Sequence, residues 1–202
     1  RVIHNGVDPN RFRPEPSARA GEGGVFQVIH PGRILPGKGQ HHAIDAVARL
    51  QRRHKMRVQL TVVGSVVDSV YLDQIRVQAY GQPVRFALDV PDMVPYYQSA
   101  DVVLHPTEVE EASGFVAIEG MACGCPVIWF DHPTVRESTG GIGVPVAPGD
   151  AARLRDALAH LMDAPVERQR IAALGRRYVL GNLTWGKTWS AYETGLQAIT
   201  RR

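Results

Sequence analysis

The stretch VFQVIHPGRILPGKGQHHAIDAVARL, residues 25–50, decides the fold of this chain. Its apolar start, Val25 to His30, predicts a strand, and the glycine-rich segment from Gly32 to Gly39 predicts a loop. Apolar residues at helical spacing then predict a helix over residues 40–54. A strand, a loop and a helix in this order are the beginning of a β-α-β unit.

The same alternation continues along the chain. Further strands are predicted at residues 58–63, 84–86, 102–105, 127–130 and 144–147, and further helices at residues 68–80, 92–100, 114–123, 150–163, 166–180 and 185–200. This spacing predicts an α/β fold: a Rossmann-like, doubly wound parallel sheet with helices on both faces, plus C-terminal helices. Such sheets bind ligands at the carboxyl ends of their strands, near the point where strand order reverses. Functional residues are therefore expected in the loops that follow strands.

The composition limits the classes of protein to which the chain can belong. Its 202 residues, 44% hydrophobic and 21% charged, have the balance of a globular protein. No apolar run approaches the roughly 20 residues of a membrane-spanning helix. A net charge of +3 is too small to indicate nucleic-acid binding. The basic run at residues 52–57 has no interleaved aromatic residues, so it is predicted to be a positive helix end, and no nucleic-acid partner is expected.

The chain has two cysteines, Cys123 and Cys125. Their C-x-C spacing is too tight for a usual zinc pair, and a disulfide across one residue would be strained. Both are predicted to be reduced, partly buried packing residues. This cysteine usage favours a cytoplasmic protein.

The first loop, residues 31–39, has the features of an anion site. Its glycines let a ligand approach the backbone, and Arg33 and Lys38 add two positive charges that suit a diphosphate. The segment nearly matches the P-loop pattern G-x-x-x-x-G-K-[ST], but Gly39 replaces the hydroxyl residue that holds magnesium. Pro36 also removes an amide that a phosphate cradle could use. A plain turn with both cations in solvent is the alternative interpretation.

A second candidate loop carries the carboxylates. Glu111 lies just before a predicted helix that opens near Gly114, and Glu119 lies a little over one turn inside that helix. Ser113 is predicted to cap the helix, and the free amides of residues 114–116 would then point into the cleft. Carboxylates accept hydrogen bonds from sugar and ribose hydroxyls. The alternative is that Glu119 is exposed and Glu111 is only an acidic loop residue.

This second loop resembles the donor-binding motif of the retaining group-1 glycosyltransferases with the GT-B architecture. In that family a Glu, seven residues and a second Glu precede small residues and Gly-x-Pro-Val. The corresponding residues here are Glu111, Gly114, Glu119, Met121-Ala122, Gly124 and Pro126-Val127. Other segments resemble the family in order and spacing: Asn5-Gly6-Val7-Asp8, Gly32-Arg33, Lys38-Gly39, Val62-Val63-Gly64, Glu137, Gly143, Pro148-Gly149-Asp150 and Trp185. The resemblance covers nearly the whole chain.

The resemblance implies a role for each site residue. Arg33 and Lys38 would grip the diphosphate of a nucleotide-sugar donor of UDP or GDP type. Glu111 and the amides at 114–116 would contact the sugar and the nearest phosphate. Glu119 would bind the ribose hydroxyls. It thus implies catalytic roles for Arg33, Lys38 and Glu111, and donor binding by Gly32, Arg33, Lys38, Leu88, Asp89, Val90, Glu111, Gly114, Phe115, Val116 and Glu119. A glycine that the family often has near Leu88 is absent. The family retains anomeric configuration and usually needs no catalytic metal, and the lack of an Asp-x-Asp pair agrees. No cofactor is expected.

The resemblance also implies that half of the enzyme is missing. A GT-B enzyme has two Rossmann-like halves, and this chain, which starts at Arg1, aligns with the second. We expect a hinge lead-in at residues 1–24, a nucleotide-sugar-binding domain at 25–182, and a helix at 183–202 that returns toward a missing N-terminal, acceptor-binding domain. Such a fragment should bind the donor without turnover, and any membrane contact would be through the missing half.

Two matters stay open from sequence. The last helix carries an apolar stripe that packs either on its own sheet or on a partner domain: Trp185, Trp189, Tyr192, Leu196 and Ile199. The function could also be that of a noncatalytic nucleotide-sugar-binding module or of a P-loop-like NTP-binding domain.

Overall fold

Strands and helices alternate through the chain as the apolar runs predict. The computed structural model describes residues 2–15, 17, 24–54 and 58–200, without the side chains of residues 51–54. Its strands are β1 (Phe26–Pro31), β2 (Val58–Gly64), β3 (Val84–Leu88), β4 (Val102–His105), β5 (Val127–Phe130) and β6 (Val144–Val146). Its helices are α1 (Gln40–His54), α2 (Ser69–Gln78), α3 (Val94–Ser99), α4 (Phe115–Ala122), α5 (Pro133–Thr139), α6 (Ala151–Asp163), α7 (Pro165–Asn182) and α8 (Trp185–Thr200).

The six strands form one parallel sheet in the order β3-β2-β1-β4-β5-β6. The chain winds outward from β1 to β3 and then crosses back to place β4 on the other side of β1. Val28 pairs with Val102 and Ile29 with Val103 at this reversal. The loops that follow β1 and β4 therefore emerge side by side, at the place where doubly wound sheets bind ligands.

Two apolar clusters cover the opposite faces of the sheet. Val28 belongs to the cluster that contains residues of α1, α2 and α6, whereas the next residue, Ile29, belongs to the cluster of α3, α4, α5 and α7. Every residue of β4 and β5 is buried, which explains why these strands are continuous apolar runs in the sequence. The prediction of a doubly wound sheet with helices on both faces is confirmed.

One short helix, α5, is absent from the sequence prediction. Its seven residues contain one buried apolar side chain, Val135, so no periodicity marks it. It is defined by its ends: Pro133 occupies the first turn, and Gly140 closes it in the left-handed region at φ 60°. The strand at residues 84–86 is also longer than predicted, because β3 continues to Leu88.

The described part of the lead-in packs against the domain. The Val7 amide donates to the Leu183 carbonyl oxygen at 2.9 Å, and the Trp185 amide donates back to the Val7 carbonyl oxygen at 3.2 Å. Phe12 is buried edge-on against Tyr97, with ring centroids 6.1 Å apart. A hinge role for residues 1–24 stays a prediction.

Helix α8 does not bury its apolar stripe on this sheet. Thr188 is its buried residue, and its hydroxyl donates to the His4 carbonyl oxygen at 2.9 Å. The stripe residues are 48% to 72% exposed: Trp185, Trp189, Tyr192, Leu196 and Ile199. Of the two interpretations left open by sequence, packing on the sheet is therefore wrong for the residues described.

Three smaller predictions can be placed in the fold. Cys123 and Cys125 form no disulfide, as predicted, but they are fully rather than partly buried. The predicted charged helix end at residues 52–57 lies outside the described side chains. Among the described residues, no helix is both long and apolar enough to cross a membrane.

Candidate functional site

A cleft of about 610 Å³ opens where the loops after β1 and β4 meet. Its walls include side chains from both loops and from the first turn of α4: Pro31, Gly32, Arg33, Leu35, Pro36, Lys38, His105, Val109, Glu110, Glu111, Ala112, Ser113, Phe115 and Val116. The structure thus brings together the cations of the first candidate loop and the carboxylate that opens the second.

Two glycines let the β1 loop approach the backbone of the β4 loop on one side and the end of β2 on the other. A Cβ on Gly39, whose φ is +79°, would lie 1.8 Å from the Pro106 carbonyl oxygen. A Cβ on Gly64 would lie 1.9 Å from the Gly32 carbonyl oxygen. No residue with a side chain fits at either point without moving backbone, so glycine is required for the shape of the cleft.

Lys38 and Glu111 form an ion pair inside the cleft. Lys38 Nζ donates to Glu111 Oε1, and the two side chains are only 16% and 15% exposed. The second carboxylate oxygen lies 3.1 Å from His105 Nε2, within ion-pair distance. The angle is outside hydrogen-bond geometry, so this buried ring nitrogen has no hydrogen-bond partner among the described residues. A ligand that takes this nitrogen therefore competes only with its close contact to the Glu111 carboxylate.

The electrostatics of this pair keep Glu111 ionised. Burial alone would raise the pKa of Glu111, but the attractions of His105 and Lys38 outweigh it and hold that pKa at about 2. Nearby, burial and then His105 lower the pKa of His30 to about 4. Its Nε2 donates to the Lys38 carbonyl oxygen at 2.9 Å, which fixes the backbone that carries the lysine.

Helix α4 directs its first amides toward the cleft. Its N-cap residue is Gly114, at φ 58°, and no side chain caps the helix, so the predicted Ser113 cap is wrong. A cap from Ser113 would require the helix to begin one residue earlier, and the left-handed turn at Gly114 prevents this. The Ser138 hydroxyl, on α5, lies 3.1 Å from the Ser113 carbonyl oxygen and 2.8 Å from the Thr134 carbonyl oxygen, so α5 packs against this turn. The amides at 115 and 116 have no backbone acceptor in the described structure and remain available to an anion.

Arg33 lies at the open side of the cleft. Its side chain is exposed, and its guanidinium makes no hydrogen bond or ion pair with the described residues. Gln40 donates to the Arg33 carbonyl oxygen at 2.8 Å and so fixes the loop backbone. The charge of Arg33 is therefore free for a ligand, in contrast to that of Lys38.

Glu119 is not among the residues that line this cleft. Tyr97, on α3, donates its hydroxyl to Glu119 Oε2 at 2.8 Å, and the other oxygen accepts no hydrogen bond from the described residues. The side chain is half-buried rather than fully exposed, and burial raises its pKa against the opposing effects of Tyr97 and Arg11.

Residues 88–90 lie at the same edge of the sheet, two strands out from β1. Leu88 ends β3, and the Asp89 amide donates to the Gly64 carbonyl oxygen at 3.0 Å. Asp89 adopts φ 50°, and its Oδ1 accepts from the Val66 amide at 3.1 Å. Because Gly64 contacts Gly32, these residues continue the surface of the cleft without lining it.

Two side chains of the site were missed by sequence reasoning. The sequence assigns no role to His105, yet it lies against Glu111; its position at the last residue of β4 is an available signal. Tyr97 contacts Glu119 from 22 residues away, and no local pattern predicts that hydrogen bond.

The chain matches a known protein family over most of its length. The family model "Glycosyl transferases group 1" matches residues 26–164. The chain belongs to the group 1 glycosyltransferases. The glycogen synthase of Mycobacterium tuberculosis is 32% identical over 189 residues, which cover 91% of this chain and 45% of that protein. The D-inositol 3-phosphate glycosyltransferase of Frankia alni is 32% identical over 216 residues, which cover 96% of this chain and 51% of that protein.

Solved structures of this fold superpose closely on the group 1 domain. The Anabaena protein Alr3699/HepE, crystallised with UDP, matches 98% of this chain and 57% of its own, with a TM-score of 0.89 and 24% identity. The C-terminal domain of the Francisella tularensis group 1 protein LpcC matches 87% of this chain and 97% of its own, with a TM-score of 0.73 and 21% identity. The chain spans about half the length of the curated relatives it matches.

Proposed function

We propose that this chain is the donor-binding half of a retaining glycosyltransferase that transfers a sugar from a nucleoside diphosphate sugar to an acceptor. The observation that carries the proposal is the cleft between the β1 and β4 loops, where Lys38 and Glu111 meet the free amides of α4. Membership in the group 1 family supports it, as do the UDP and UDP-glucose bound by the Anabaena protein.

The diphosphate would bind between the cations and the helix. Arg33 has no protein partner among the described residues, and Lys38 exchanges a carboxylate for a phosphate when the donor enters. The amides at 115 and 116 and the dipole of α4 supply further positive potential. The same groups would stabilise the negative charge that develops on the leaving nucleoside diphosphate.

The sugar would lie against Glu111 and His105. A carboxylate with a pKa of about 2 is an acceptor for sugar hydroxyls at any physiological pH. The His105 Nε2, buried without a hydrogen-bond partner among the described residues, can serve a second hydroxyl. Glu119 would accept from the ribose hydroxyls, and the base would lie beside residues 88–90.

The acceptor would be held by an N-terminal domain. The curated relatives are about twice the length of the match, and the exposed stripe of α8 offers an apolar surface for a second domain. On this proposal the 202-residue chain binds donor without transferring sugar. Retention of anomeric configuration, a cytoplasmic location and membrane contact through the N-terminal half belong to the same proposal.

A P-loop-like NTPase is disfavoured by Gly39. That position would carry the hydroxyl residue that binds magnesium, yet a Cβ there would lie 1.8 Å from a carbonyl oxygen. A noncatalytic sugar-nucleotide-binding module would bind the same donor, so only the transfer activity of the intact protein distinguishes it from the proposed transferase. Transfer by this chain joined to its N-terminal domain, and none by the chain alone, would support the proposal.

Calorimetric titration of UDP, GDP and ADP, and of their sugars, tests the donor assignment. One of the nucleoside diphosphates should bind with micromolar affinity, and Lys38→Met should weaken it. Lys187→Met, a change on the exposed face of α8, is the matched control and should leave the affinity unchanged. Equal affinity of the wild type and Lys38→Met would contradict the proposed site.

A further inference from the structure

A cluster of possible metal ligands lies outside the cleft, on the other side of the Gly37–Gly39 loop. It consists of His41, His42 and Glu108, and we call it the His–Glu cluster. His42 Nε2 lies 3.0 Å from Glu108 Oε1, and His41 Nε2 lies 3.7 Å from the same oxygen. One ligand atom from each of the three residues lies within 4.8 Å of the other two. The proposed donor site uses none of these side chains.

Both imidazole rings are oriented by contacts outside the cluster. His41 and His42 are in the first turn of α1, and Glu108 comes from the loop after β4. His41 Nδ1 lies 3.0 Å from the Tyr71 hydroxyl oxygen, which leaves Nε2 pointing at the carboxylate. His42 is only 14% exposed and packs edge-on against Phe130, with ring centroids 5.2 Å apart. Such outer contacts are the usual means of fixing a metal-binding histidine.

We propose that the His–Glu cluster binds one Zn²⁺ ion, with water completing the coordination. Two imidazole nitrogens and one carboxylate oxygen are a common three-residue zinc set, and nitrogen ligands disfavour calcium and magnesium. Tetrahedral zinc with bonds of about 2.0 Å needs ligand atoms about 3.3 Å apart. The distances of 3.0 and 3.7 Å to Glu108 bracket this value, and the two histidine ligand atoms lie within 4.8 Å of each other, so side-chain movements bring all three to the zinc distances.

The cluster is joined directly to the loop that carries Lys38. The Glu108 amide donates to the Gly37 carbonyl oxygen at 2.8 Å, and the His42 amide donates to the Gly39 carbonyl oxygen at 3.1 Å. A metal bound by both residues would link the first turn of α1 to the loop after β4, on either side of this segment. The zinc site would therefore hold the Lys38 loop in one position.

Calorimetric titration of Zn²⁺ into the chelator-treated, tag-free 202-residue chain tests the proposal. The wild type should bind one equivalent. His41→Asn and Glu108→Gln, at side chains that are 36% and 40% exposed, should each weaken binding by about tenfold or more. His160→Asn, at an exposed histidine of α6, is the matched control and should bind zinc as the wild type does.

Thermal unfolding gives a second measurement that does not depend on activity. Zinc should raise the Tm of the wild type and of His160→Asn, and should raise it less in the two cluster variants. Circular dichroism before the titration establishes that each variant is folded. Absence of stoichiometric binding by the wild type, or equal binding by the wild type and both cluster variants, would overturn the proposal.

Discussion

Replacement of Glu111 by glutamine should strengthen the binding of a nucleoside diphosphate that lacks a sugar. In the free protein Glu111 holds Lys38, the cation that we assign to the diphosphate. Donor binding must break that pair. Glutamine keeps the shape of the side chain but removes its charge, so Lys38 becomes available without the cost of separating two opposite charges.

The magnitude follows from the electrostatics of Glu111. A pKa of about 2, against an ordinary 4.5, corresponds to a preference of about 3 kcal/mol for the carboxylate in this environment. This net value is what remains of the attractions of His105 and Lys38 after the opposing effect of burial. If Lys38 supplies a third to a half of this net value, its release is worth about 1 to 1.5 kcal/mol, or roughly 5- to 13-fold in Kd.

The assay is calorimetric titration of the best-binding nucleoside diphosphate and of its sugar into four proteins. Lys38→Met should make the binding free energy of both ligands less favourable by about 1.5 to 3 kcal/mol, because a charge-assisted hydrogen bond is lost. Glu111→Gln should strengthen the binding of the nucleoside diphosphate. It should also remove the additional affinity with which the wild type binds the nucleotide sugar. Glu110→Gln, which removes a neighbouring charge that accepts from Thr134 and not from Lys38, should change either Kd less than twofold.

The two ligands should respond differently to Glu111→Gln, because both gain Lys38 but only the nucleotide sugar loses a contact with Glu111. Weaker binding of the sugar-free diphosphate by Glu111→Gln, to the same extent as by Lys38→Met, would mean that Glu111 supports the diphosphate site and does not compete for its lysine. A similar gain in diphosphate affinity by Glu110→Gln would mean that the effect comes from the net charge of the cleft and not from the release of Lys38.

Three further predictions follow from the same contacts. Glu119→Gln should weaken the binding of the nucleoside diphosphate and leave the affinity for inorganic diphosphate unchanged. Equal losses of affinity for both ligands by calorimetry would contradict a ribose contact. The pKa values of His30 and Glu111 are lowered to about 4 and about 2, so the folded state binds fewer protons than the unfolded state. Their stabilisation is complete above pH 6.5 and is lost between pH 6.5 and 4 for His30 and between pH 4.5 and 2 for Glu111, up to about 3 kcal/mol each. Urea unfolding at several pH values should show a shallower loss between pH 6.5 and 4 in His30→Gln than in the wild type. Gly39→Ala should lower the unfolding free energy by at least about 2 kcal/mol more than Gly149→Ala. The two glycines share φ near +79°, but only the Cβ at Gly39 meets backbone; equal losses by urea unfolding would mean that strain alone matters.

The sheet could be predicted from sequence because its central strands are buried on both faces. Such strands are continuous apolar runs, as VVLH at β4 and VIWF at β5, and no competing helical period obscures them. Helix α5 could not be predicted in this way, because one buried valine leaves no period to detect. It nevertheless lies against the turn at Gly114, where Ser138 is in contact with that turn.

The site could be predicted only as two separate loops. Each loop follows a predicted strand, and its charged residues can be identified from the sequence. The two loops lie side by side only because β4 is next to β1 in the sheet. That neighbourhood is a property of the whole sheet. For the same reason the contact of Tyr97 with Glu119 and the position of His105 beside Glu111 have no local signal strong enough to assign a role.

The pairing of Val7 with Thr184 has a consequence for how such enzymes diversify. The segment that enters the domain and the segment that leaves its last sheet-packed helix run side by side, joined by backbone hydrogen bonds to Leu183 and Trp185. A folded unit whose entry and exit share one point can be exchanged as a cassette without rerouting the chain around it. Grafting residues 7–184 between relatives should therefore transfer the donor-side loops intact. Two junctions would suffice, one at Val7 and one at Thr184, the two residues of this bridge.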